Sequence, residues 1–130
     1  MSTRCNLLVE SGETKLFIYH HHDGYLEGVG RDLLDRLKKL LASDVGKWAR
    51  AHEFVTGLLS DKNEEYEVTV GWHGDIEYSY RIVFGDDGDV SIGWHTSHEA
   101  RSNFRRDPTP AEMGSVEKFE RDIKDAEAQR

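Results

Sequence analysis

Residues 18 to 34 read Ile-Tyr-His-His-His-Asp-Gly-Tyr-Leu-Glu-Gly-Val-Gly-Arg-Asp-Leu-Leu. Three imidazoles stand beside a carboxylate, a phenol and three glycines, just ahead of a leucine-rich run. These residue types admit three chemistries. On a strand, side chains alternate, so His20 and His22 share a face and can chelate a transition ion, with His73, His95, His52 or Asp23 as a further ligand. Backbone amides of a glycine-rich joint at a helix start can hold a phosphate. His21 can serve as a base oriented by Asp23, with Tyr25 or Cys5 as the reactive partner.

Spacing weighs these unequally. No H-E-x-x-H or C-x-x-C pattern accompanies the histidines. Gly24, Gly28 and Gly30 fit neither the Walker loop nor the dinucleotide fingerprint, and Arg31-Asp32 follows where Lys-Ser or Lys-Thr would stand. The glycines therefore read as turn and close-packing positions. Cys5, alone on an alternating strand, reads as a small core residue. Gly85-Asp86-Asp87-Gly88-Asp89 lacks the spacing of a calcium loop and reads as a hairpin tip. The basic cluster Arg101, Arg105 and Arg106 reads as a solvated loop.

The elements that must position these groups are legible from periodicity. Cys5, Leu7 and Val9 alternate with Asn6, Leu8 and Glu10, and a second strand over 15–22 follows a Ser-Gly-Glu-Thr turn, which together predict a hairpin. Leu33, Leu34, Leu37, Leu40 and Leu41 lie on one helical face. Ser43 or Asp44 is the expected cap of a second helix, with Val45, Trp48, Ala49, Val55, Leu58 and Leu59 as its core face. Three strands follow: Tyr66, Val68, Val70 and Trp72 face one way in the first; Ile76, Tyr78, Tyr80, Ile82 and Phe84 in the second; Val90, Ile92 and Trp94 in the third. Short Gly/Asp joints predict an antiparallel meander with one packed and one wet face. The aromatic set on these strands reads as core and not as a base-stacking platform. Gly71-Trp72-His73 and Gly93-Trp94-His95 form a weak internal echo.

The expected fold is an α+β two-layer sandwich: about five mainly antiparallel strands, two helices on one face, and a C-terminal helix. Residues 1–95 form the single domain and 96–108 a polar loop. A peripheral helix over 109–130 is opened by Thr109, Pro110 and Glu112, with a narrow stripe of Met113, Val116, Phe119 and Ile123.

Composition narrows the function classes. The chain has 130 residues, a net charge of −8 and one cysteine, so it forms no internal disulfide. Its acidity disfavours direct binding to nucleic acid or to an anionic membrane, both of which reward clustered cations. Neither a signal peptide nor an apolar membrane span is expected, which points to a cytoplasmic protein.

The start Met-Ser-Thr-Arg-Cys together with Tyr19-x-His21-x-Asp23-Gly24-Tyr25-x-x-Gly28-Val29 resembles a family of short uncharacterised bacterial and phage proteins. That family carries Pro where this chain has Leu26. The resemblance covers about the first third of the chain and brings no established activity. It implies that His21, Asp23 and Tyr25, with Arg4 and Cys5, form one cluster, and that His20 and His22 are variable. The expected function is a small acidic binding protein acting on a protein partner, such as a nucleic-acid-handling or defence component, with no cofactor. The alternative is a small enzyme, or a metal- or small-molecule-binding protein, built on the His21–Asp23–Tyr25 cluster.

Overall fold

A computed structural model of the chain describes residues 3–70, 76–96 and 113–129. The predicted α+β sandwich is present: a five-stranded mixed sheet carries helices against one face. The strands are β1 (Cys5–Ser11), β2 (Thr14–His20), β3 (Glu67–Thr69), β4 (Tyr78–Phe84) and β5 (Val90–Thr96). The helices are α1 (Arg31–Ala42), α2 (Arg50–Ser60) and α3 (Val116–Ala128). No helix among the described residues is long and apolar enough to cross a membrane.

Strand order is β3-β2-β1-β4-β5. The β1–β2 hairpin is as predicted, with Cys5 opposite His20 and Ser11 opposite Thr14. The expected meander of the last three strands is not. β4 lies parallel to β1, β5 pairs antiparallel with β4, and β3 goes to the far edge, antiparallel to β2. Alternation fixes which face a side chain takes but not which strand is its neighbour. The second face is half-buried at Arg81, Ser91 and His95 of β4 and β5, while on the middle strand β1 Asn6, Leu8 and Glu10 are buried as well as Cys5, Leu7 and Val9. Glu10 tolerates that position because Arg81 donates to its Oε2 from Nε (3.1 Å) and Nη2 (2.6 Å).

Leu33, Leu34 and Leu37 are fully buried, and each such side chain contributes about 1.5–3 kcal/mol relative to exposure. The α2 face differs from prediction. Ser43 ends α1, its hydroxyl donating to the Leu40 carbonyl (2.6 Å), and a 3-10 turn over Lys47–Ala49 precedes Arg50. The helix thus starts later than its expected cap. Phe54 and Leu58, with Ala51 and Val55 beside them, make the core face, and Trp48 and Leu59 are exposed. Val68 and Val70 are exposed too, because β3 is a short edge strand rather than a covered central one.

The C-terminal helix is not peripheral. Ser115 caps α3 by accepting from the Lys118 amide (3.1 Å), and Val116, Phe119 and Ile123 are buried in the same core as the leucines of α1. The apolar stripe is narrow because it fills one seam between α1 and the sheet. The expected cap at Thr109, with Pro110 and Glu112, lies outside the described residues, as do most of the polar loop, Trp72, His73 and Arg101, Arg105 and Arg106.

Candidate functional site

β2 ends at His20, so strict alternation stops there and the three histidines part company. His20 is on the core face, opposite Cys5, and only 1% exposed. His21 and His22 lie beyond the strand, at the surface of the joint that leads into α1. Asp23 turns the chain with a left-handed backbone (φ 53°), which costs a non-glycine residue some strain. Its carbonyl accepts from the Val29 amide (2.7 Å), and the Gly24 amide donates to the Thr3 carbonyl (2.9 Å). A wide π-type turn over Leu26–Gly30 then runs directly into α1. From the sheet, the Tyr80 hydroxyl donates to the Gly24 carbonyl (2.8 Å). The glycine joint is thus bonded through its backbone to the segment just before β1 and to β4, in keeping with a packing role.

The far wall of the corner comes from the chain ahead of β3. Phe17, Ile18 and Tyr19 pair with Thr69, Val68 and Glu67. Continuing that register sets His20 against Tyr66 and His21 against Glu65, and this is what the side chains do. The His20 and Tyr66 rings are 4.6 Å apart, and His21 Nε2 is 3.4 Å from Glu65 Oε2. His22 Nε2 is 3.9 Å from the same oxygen, while its Nδ1 is 3.6 Å from Asp23 Oδ2. Glu65, like Asp23, has a left-handed backbone (φ 57°).

Of the residues singled out from sequence, Asp23 and Tyr25 do meet, the Tyr25 hydroxyl donating to Asp23 Oδ1 over a long 3.4 Å. His21 turns to Glu65, and the imidazole beside Asp23 is that of His22. Cys5 is completely buried, and burial pushes its thiol pKa up, the reverse of what a nucleophile needs. The Arg4 carbonyl accepts from the Glu77 amide (2.9 Å), tying β1 to the start of β4. His95 lies on the sheet's other face with β1 and β4 between it and β2, and His52 is exposed on α2. Neither can join a His20–His22 chelate. Among the described residues, the donors that do converge are His21, His22 and Glu65, all within 4.8 Å of one another. Glu65 was not foreseen because its strand was expected beside β4.

Behind this corner runs a polar string. Tyr66 donates to Asp32 Oδ2 (2.7 Å), and Arg36 Nε donates to the same oxygen (2.9 Å). Arg36 also donates to Asp61 (2.6 Å) and to the Gly57 carbonyl (3.1 Å), which ties α1 to the end of α2. The Arg36 bond holds the Asp61 carboxyl below its usual range. Burial, followed by Asp32 and Asp61, raises Glu64. Comparison with protein-family models, curated proteins and solved structures finds no match.

His20 makes one consequence measurable. Neither ring nitrogen meets a hydrogen-bond partner among the described residues, and Glu64 Oε2 is 3.8 Å from Nε2. Burial, and then the neighbouring His22, lowers its pKa. Above the ordinary imidazole value of about 6.5 the group is neutral in both states and contributes no pH dependence. Below it the unfolded chain binds the proton first, so stability falls with pH until the lower folded-state pKa is reached. His20→Phe is expected to flatten that slope by up to about 1.4 kcal/mol per pH unit, measured by urea unfolding between about pH 7.5 and 5. An unchanged slope would mean that His20 is not held neutral.

A second surface feature sits at the opposite end of α2. Trp48 is 92% exposed, on the turn over Lys47–Ala49. The turn is anchored, because Arg50 Nη1 donates to the Gly88 carbonyl at the β4–β5 tip (2.5 Å) and Ala49 N donates to the Gly46 carbonyl (2.9 Å). A large exposed indole thus stands on a backbone turn tied to the β4–β5 tip.

Proposed function

We propose that this chain is a small binding protein that docks on a protein partner through the surface around Trp48. The observation that carries the reading is the exposed indole on an anchored turn. Tryptophan is among the residues that most often dominate interface energy, and the anchored backbone beneath Trp48 spares part of the ordering cost of binding. Leaving it in water has no folding benefit that would account for it. The charge of −8 favours a partner with a basic face, such as a nucleic-acid-handling or defence component, in keeping with the resemblance to bacterial and phage proteins. Against the enzyme alternative stand the buried, raised thiol of Cys5 and the separation of His21 from Asp23 and Tyr25 by the Glu65 contact.

The test is paired capture with the native chain and Trp48→Ser, followed by reconstitution with the purified partner. The substitution is expected to weaken binding by about thirtyfold or more, the scale of a hot-spot residue, with an unchanged Tm. A stoichiometric partner held equally by both chains would sink the reading.

A further inference from the structure

We infer that His21, His22 and Glu65 form a binding site for one divalent transition-metal ion of the zinc type. This goes beyond partner docking and does not depend on Trp48, which lies at the other end of α2.

The donor set is the first argument. Two imidazole nitrogens and one carboxylate oxygen suit zinc, cobalt or nickel, whereas calcium and magnesium take oxygen ligands. Distance is the second. Ligands of one tetrahedral ion, each bonded at about 2.0–2.2 Å, stand about 3.3 Å apart. His21 Nε2 and Glu65 Oε2 are already at 3.4 Å, and His22 Nε2 is 3.9 Å from that oxygen. The donor atoms of His21 and His22 lie within 4.8 Å of each other, so side-chain rotation has to draw that pair together to close the site.

The frame is the third argument. His21 and Glu65 lie just past the last paired residues of β2 and β3, Tyr19 and Glu67, and the ladder holds the two segments side by side at that point. Asp23 Oδ2 lies 3.6 Å from His22 Nδ1, just beyond hydrogen-bond distance, and a small rotation would let it accept from that N–H and leave Nε2 for the ion. A carboxylate behind a ligating imidazole is the usual device for fixing its tautomer. The three side chains are 42%, 33% and 54% exposed, so an ion can enter from solvent. Three protein donors leave one position for water or for a ligand of a partner. Once bound, the ion ties the end of β2 to the segment between α2 and β3.

The full chain, prepared without a histidine tag, is titrated with zinc chloride by calorimetry and with cobalt chloride by visible absorption. One ion per chain is expected, with tetrahedral cobalt bands and a raised Tm. His21→Ala and Glu65→Gln change exposed side chains, so both variants should keep the native circular dichroism while losing at least tenfold in affinity. His52→Ala, an exposed histidine on α2, should bind as the native chain does. The inference is overturned if no stoichiometric binding is seen. It is equally overturned if Glu65→Gln and His21→Ala bind as tightly as the native chain, or if His52→Ala weakens binding as much as they do.

Discussion

Gly28→Ala is expected to destabilise the protein by about 3 kcal/mol or more, the upper end of what a forced contact costs. A Cβ at Gly28 would lie 2.2 Å from the Asp23 carbonyl oxygen, far inside contact distance. That oxygen cannot simply retreat, because it accepts the Val29 amide at 2.7 Å, and Asp23 already holds a left-handed backbone. Next to it, the Gly24 amide is bonded to Thr3 and the Gly24 carbonyl to Tyr80, so Gly24 is fixed both to the segment entering β1 and to β4. Relief would require opening the turn that aims α1 at the core. The same substitution at Gly57 supplies a contrast of opposite sign. Gly57 lies within α2, and an added Cβ would meet only Arg36 Nη1, at an ordinary 3.7 Å. Gly57→Ala should therefore stabilise by about 0.5–1 kcal/mol, the usual helix gain over glycine. Urea unfolding of the two variants reads both. If Gly28→Ala unfolds at the native midpoint, the close approach is not a constraint.

This contrast also shows what the sequence could and could not disclose. Gly28 belongs to the motif that marked the joint, and its reading as a close-packing glycine agrees with the contact geometry. The faces of β4 and β5 were legible because Tyr80, Ile82, Phe84 and Ile92 recur at period two and are buried on the helix side. The neighbours of those strands were not. Placing β4 parallel to β1 is a long-range choice that leaves no trace in local alternation, and only that choice sends β3 to the edge beside β2. The same choice decides the site. With β3 beside β4, Glu65 has no route to the histidines; with β3 beside β2, it stands opposite His21. Likewise the α2 face differs from the expected one because the 3-10 turn shifts the helical phase, exchanging Trp48 for Phe54. A helix period is informative only once its first residue is known.

Phe119→Ala is expected to cost about 3–5 kcal/mol, the range for removing a buried phenylalanine. Phe119 is 2% exposed, its ring meets Tyr80 edge-on at 6.3 Å, and a Cβ on Gly30 would stand 3.5 Å from its Cζ. The ring therefore sits where α3, β4 and the turn into α1 converge, and neighbours held by backbone hydrogen bonds have little freedom to collapse into the space. The polar contacts of α3 cannot substitute for it. Lys38 to Glu120 (2.9 Å) and Arg31 to Glu127 are solvent-facing pairs of the kind worth about 0–1 kcal/mol each. For a domain whose net stability is on the order of 5–15 kcal/mol, the substitution removes a large fraction of it. Lys124→Ala, an exposed change on the same helix, should stay within about 0.5 kcal/mol of native. If Phe119→Ala instead costs less than about 1 kcal/mol by urea unfolding, α3 is an appendage on a core that stands without it. A cost in the expected range makes α3 the third helix of the packed layer, and the integrity of the joint beneath the histidines then depends on a segment more than 80 residues away in sequence.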